Sequence, residues 1–219
     1  EILGLAERAL TDVRDLAQLG RIRLRFGTFP TAAARLLPGI ASRVAELGIE
    51  LDATLEELSP LVTRINQHTL DAALVYSMPG YELPLRPDIV ATEVLRDPLM
   101  LALPEDHPLA TRATIDLESL LGLHDERWLL ATSRNAPMDE IVVGAFSRAG
   151  HTLDVTIRTD DFQVMLGIVA AHMAISFMPK LASGPVRPGG ALRLIEDPAF
   201  VRSVLLVAPA EGPGRQPST

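Results

Sequence analysis

Cysteine is absent from all 219 residues. That excludes disulfides, thiolate metal sites and cysteine nucleophiles. Aromatic side chains make up only 4% of the chain, which argues against stacking on single-stranded nucleic acid. Excess positive charge is lacking too. The formal net charge is −8, and an acidic chain grips nucleic-acid phosphates poorly. No apolar run approaches the roughly 18 residues of a membrane span. The signatures G-x-S-x-G, H-E-x-x-H, the Walker loop and the Rossmann glycine fingerprint are missing, so no enzyme activity is expected. His68, His107, His124, His151 and His172 show no spacing suited to zinc, so neither a metal nor another cofactor is expected. The first residue is Glu1 rather than Met, the mark of a fragment or a processed chain. The mixed-charge stretch after it does not read as a signal peptide.

What is present suffices for a packed core. Hydrophobic residues make up 47% of the chain, enough for one or two α/β units. The stretch over residues 21–39 organises the rest. Ile22, Leu24 and Phe26 alternate with Arg21, Arg23 and Arg25, the period of a strand with one buried face. Gly27 breaks the run. Thr31 precedes apolar residues at helical spacing, which marks it as the N-cap, and Gly48 marks the helix end. A helix entered directly from a buried strand turns unpaired N–H groups toward the strand end. Thr28, Phe29, Pro30 and Thr31 are therefore candidate ligand contacts.

Further along, residues 49–55 alternate as a second strand. Ser59-Pro60 opens a helix, and residues 71–76 form a nearly all-apolar strand. The order β-α-β-α-β implies parallel pairing. Ligands of open α/β sheets bind at the carboxyl ends of strands, which adds Tyr76 and Ser77 to the candidates. Residues 89–95 and 99–103 read as two strands about a turn at Asp97-Pro98. A second β-α-β-α-β series follows. It has strands at 128–131, 153–157 and 173–177, and helices at 137–149 and 162–172. Its strand and helix ends supply Thr132, Ser133 and Arg134, with Asp160, Asp161 and Phe162. Residues 191–195 and 201–207 read as a hairpin about Asp197-Pro198. Residues 1–19 carry a narrow apolar stripe suited to a helix. The tail over residues 211–219 has the composition of a disordered segment.

The run F-G-T-F-P-T-x-x-x-x-L-L-P at residues 26–38 resembles the first strand and helix of the effector-binding domain of LysR-type transcriptional regulators. The tetrad His107-Pro108-Leu109-Ala110, after an apolar strand and at this distance from the first motif, is similar to the entry into that domain's second half. The resemblance covers nearly the whole chain. It implies an α/β fold of the type II periplasmic-binding-protein-like class: two α/β subdomains joined by two crossovers near Arg96 and Pro179, with the ligand cleft between them. Residues 1–19 would be a linker helix, 20–96 with 180–219 subdomain I, and 97–179 subdomain II. The implied function is small-molecule effector sensing in a bacterial, cytoplasmic regulator. It would work as a homodimer or homotetramer, away from membranes, and touch DNA only through a missing N-terminal winged helix-turn-helix. The rival reading is a solute-binding protein for transport of a small organic ligand.

In that family the Ser or Thr matching Thr31 commonly binds the effector, often through a carboxylate; capping alone would also explain a Thr there. Thr132 and Ser133 either donate hydroxyls across the cleft or form a polar loop. Arg134 either pairs with an anion or stays solvated. Asp160 and Asp161 either cap a helix or accept from a ligand. The mix of Thr, Ser, Arg, Tyr and Phe suits an organic or aromatic acid. The chain departs from the family in two places. It lacks the usual terminal helix, and it carries His172-Met173 where small residues are usual. His172 either serves the helix dipole or reaches toward the cleft.

Overall fold

The structure is a computed structural model that describes residues 23–134, 136–184 and 188–210. The linker helix expected over residues 1–19 and the tail over 211–219 lie outside the described residues. The described chain forms two compact units. One holds residues 23–77, 82–96 and 203–210, and the other holds 78–81 and the described part of 97–202.

In the first unit, β1 (Arg23–Thr28), α1 (Pro30–Glu46), β2 (Glu50–Leu55), α2 (Leu58–Asn66) and β3 (Ala72–Ser77) alternate. β1 is central. It pairs in parallel with β2 from Arg23↔Glu50 to Thr28↔Leu55, and with β3 at Phe26↔Ala72. The parallel order is the one the sequence predicts. Exposed Arg25 ties β1 to the start of β3. Its Nη2 lies 2.6 Å from Asp71 Oδ1, and its backbone amide donates to Asp71 Oδ2 at 2.8 Å. That carboxylate holds the Arg25 guanidinium above its ordinary pKa.

Gly27 does not break β1. It stays in the strand because the space beside it is taken. A Cβ there would meet Leu70 Cδ1 at 2.6 Å and Leu61 Cδ2 at 2.7 Å. The second helix begins ahead of Ser59-Pro60, at Leu58, with Glu57 as N-cap. Buried Leu58 joins Leu61, Val62 and Ile65 on the helix face, so burial recruits the turn before the proline.

Two long strands, β4 (Ile89–Pro104) and β10 (Val201–Pro209), each carry the chain from one unit to the other. The turn predicted at Asp97-Pro98 is absent, because buried Asp97 is held in line by Arg202 and by the amide of Leu181. The second unit continues through β5 (Thr114–Ile115), α3 (Leu117–Leu121), β6 (Arg127–Leu130), α4 (Pro137–Arg148), β7 (Asp154–Arg158), α5 (Phe162–Ala170), β8 (Ser176–Pro179) and β9 (Gly190–Ile195). The predicted hairpin of residues 191–195 and 201–207 does not form. β9 pairs with β4 and β5, whereas β10 runs antiparallel to β3. Asp197 instead caps a short 3-10 turn, Pro198–Phe200, that buries Phe200. The described residues of the stretch 180–202 accordingly belong to the second unit, and the return to the first falls at Ser203 rather than near Pro179.

The second unit is built around Trp128, which is fully buried. Its Nε1 donates to the Leu123 carbonyl at 3.1 Å, and its ring meets Phe146 edge-on at 5.4 Å. Met165, Leu166 and Val169 of α5 pack on Leu129 and Met178. Helix ends explain the His172 departure. Gly48 and Gly150 take left-handed φ after α1 and α4, and so do His68 (φ 55°) and His172 (φ 56°) after α2 and α5. The His172 amide donates to Val169 O and that of Met173 to Ile168 O, the paired bonds of a Schellman ending. α5 therefore stops at Ala170, and His172 does a glycine's backbone work. Its side chain is exposed, 3.6 Å from Asp106.

Candidate functional site

The candidates fall into two groups, one per unit. The first lies at the β1–α1 junction and the end of β3. Thr31 is not the N-cap of α1. The helix starts two residues earlier than that cap implies, at Pro30, with Phe29 as an N-cap that makes no side-chain capping bond. A proline suits the first helical position because its fixed φ matches and its missing N–H would be unpaired there anyway. Thr31 thus sits in the first turn, half-buried. Thr28 is fully buried and its Oγ1 lies 3.4 Å from the Phe29 carbonyl. Phe29 and Tyr76 are also buried, with their rings edge-to-face at 5.1 Å. That contact brings the two strand ends together, as the parallel topology requires. Pro30 is exposed and Ser77 half-buried.

The second group surrounds the loop after β6. Thr132, Ser133 and Arg134 are exposed. The loop is strapped by carboxylates. The Ala131 amide donates to Asp139 Oδ2 and the Thr132 amide to Asp160 Oδ1, both at 3.0 Å. The Ala131 carbonyl accepts from Arg158 Nη1 at 2.8 Å. Between the two acidic residues, Asp161 is the helix cap: its Oδ1 accepts from Gln163 N at 2.7 Å and Val164 N at 3.1 Å. Asp160 serves the loop instead. Phe162 is half-buried against the α5 cluster.

Asp139 and Arg158 are absent from the sequence reading. Asp139 in the first turn after Pro137 looks like an ordinary acidic residue at a helix start. Only the fold shows that it is buried, 4% exposed, and 4.0 Å from Arg158. Burial pushes its carboxyl up to about 6, against the opposing pull of the Ala131 amide and Arg158. Arg158, at the last position of β7, shows no sequence signal beyond its place at a strand end. Among the described residues no group of three or more His, Cys, Asp or Glu could hold a metal ion, and no helix is long and apolar enough to cross a membrane.

Comparison with known proteins places this geometry. Residues 17–217 match the model of the LysR substrate binding domain. The small neutral protease regulatory protein of Streptomyces lividans is 28% identical over 96% of this chain and 61% of its own length. The DNA-binding transcriptional dual regulator OxyR of Escherichia coli K12 is 26% identical over 75% of this chain and 52% of its own. The chain therefore spans 52–61% of the length of these relatives. Among solved structures, the BenM effector binding domain with its effector benzoate superposes with a TM-score of 0.73 at 21% identity, covering 88% of this chain and 85% of that one. The reduced form of OxyR gives 0.69 at 22% identity, covering 88% of each. The fold is thus the type II periplasmic-binding-protein-like fold of such domains, and the chain belongs to the LysR substrate-binding domain family.

Proposed function

We propose that this chain is the effector-sensing part of a LysR-type transcriptional regulator, and that its ligand is a small organic or aromatic acid. The family match over residues 17–217 carries the reading. The curated relatives are regulators rather than transport proteins, which favours sensing over solute transport. The benzoate of BenM and the 2-PG held by the CcmR regulatory domain of Synechocystis support a small ligand. Peroxide induction, for which several relatives are named, is the less suited alternative, since a chain without cysteine offers no thiol to oxidise. In this reading Thr31, Ser77, Thr132, Ser133 and Arg134 are the candidate ligand contacts. DNA binding belongs to a winged helix-turn-helix outside these residues, in a cytoplasmic homodimer or homotetramer. The effector changes the regulator only by binding one of its states better than another.

A thermal-shift screen against organic acids, aromatic acids, amino acids and sugars tests this. A ligand at about a hundred times its dissociation constant adds nearly 3 kcal/mol. The expected hit is an acid whose shift Thr31→Ala reduces. Sugars raising the midpoint while acids do not would overturn the ligand class. A hit indifferent to both Thr31→Ala and Ser133→Ala would overturn the site.

A further inference from the structure

The chain passes between its units at Arg96/Asp97 and again at Arg202/Ser203. The second-unit residues at these two passages are bonded to each other. Arg202 Nε and Nη2 both lie 2.8 Å from Asp97 Oδ2, and both side chains are almost wholly buried. Asp97 Oδ1 accepts from the Leu181 amide at 2.9 Å. The guanidinium also reaches beyond the pair, with Nη1 3.9 Å from Met138 Sδ. Met138 stands in the first turn of α4, next to Asp139, whose carboxylate holds the Ala131 amide. Contacts therefore run without a gap from the roots of both connecting strands to the loop over residues 131–134. Stability alone is a poor reason for such a pair. Desolvation offsets much of the attraction, and a well-packed apolar pair serves as well.

We propose that Arg202 is a positioning residue for the 131–134 loop: through Met138 and Asp139 it couples the posture of the loop to the two connecting strands. A ligand held by the loop then biases the strands, and the strands bias the loop's affinity by the same factor. The purpose of this coupling rests on the effector reading above; the coupling itself exists without ligand.

Amide hydrogen exchange in the ligand-free chain tests it with two variants, Arg202→Lys and Met138→Leu. The first keeps the charge but loses the planar fork. The second leaves the ion pair intact and removes the sulfur contact at similar volume. Both are expected to speed exchange of the Ala131 and Thr132 amides by about tenfold or more, while Phe26 and Leu74 in the first unit stay unchanged. Uniform acceleration across the chain would mean lost stability only and would overturn the proposal. So would faster exchange at Leu181 alone. Should Arg202→Lys not fold, Met138→Leu decides by the same criteria. The ligand screen can fail while this exchange pattern holds, and the reverse, so the two readings stand or fall separately.

Discussion

The two groups of candidate contacts are held by different forces. In the first unit, Thr28, Phe29 and Tyr76 are buried, and an edge-to-face ring contact joins the strand ends. In the second, Thr132, Ser133 and Arg134 are exposed, and Asp139, Asp160 and Asp161 hold the backbone around them. Apolar packing carries no group that titrates between pH 5 and pH 8. Carboxylate straps differ, because their strength follows protonation. One group is a fixed surface, and the other is a loop whose posture is set by a few charged hydrogen bonds.

Substitutions should separate these two constructions. The largest effect is expected in the packed group. Phe29→Ala removes a ring that is 2% exposed and should cost about 3–5 kcal/mol, with the same loss in urea melts at pH 5 and pH 8. A loss that changes with pH would break the comparison. Asp139→Asn should behave in the opposite way. The Asp139 carboxyl is raised from its ordinary 3.8 to about 6 in the fold. The folded state therefore binds the proton more tightly, and its stability falls as pH rises from about 4 to 6. Above that window the buried charge carries its full penalty, on the order of 2 kcal/mol. Asn stays neutral, so the variant should be more stable than the parent at pH 8 and equal to it near pH 4. Stability curves that run parallel at all pH values would contradict this. The smallest contrast lies at the helix starts. Asp161→Ala deletes a two-bond cap and should cost about 1 kcal/mol. Thr31→Ala leaves the Phe29 N-cap of α1 in place and should cost less than Asp161→Ala. Equal losses at the two positions would restore Thr31 as a cap.

That last contrast shows where sequence reading stops. The alternation of Arg23, Leu24, Arg25 and Phe26, and the β-α-β-α-β order of the first unit, are legible because burial follows local period. The start of α1 is misread by two residues, because a Thr before an apolar stripe and a Pro at the first helical position are both valid signals. Proline takes the position here. Gly27 reads as a breaker only until Leu61 and Leu70, distant in sequence, are seen to occupy the space a side chain would need. The hairpin fails for a similar reason. β4 pairs with β9, and β10 returns to β3, a choice set by partners rather than by the turn at Asp197. In the second group the exposed loop residues were visible at a strand end. Asp139 and Arg158 were not, since their importance comes from burial and a tertiary pairing that no local pattern encodes.

The central claim is that the chain binds a small acid at the candidate residues. The direct measurement is an NMR titration of the chain with the acid that gives the largest thermal shift, following backbone amides. The account predicts saturable shifts at candidate residues, Thr31 and Ser133 among them, each following one dissociation constant. Shifts that spare every candidate residue, or that never saturate, would contradict it.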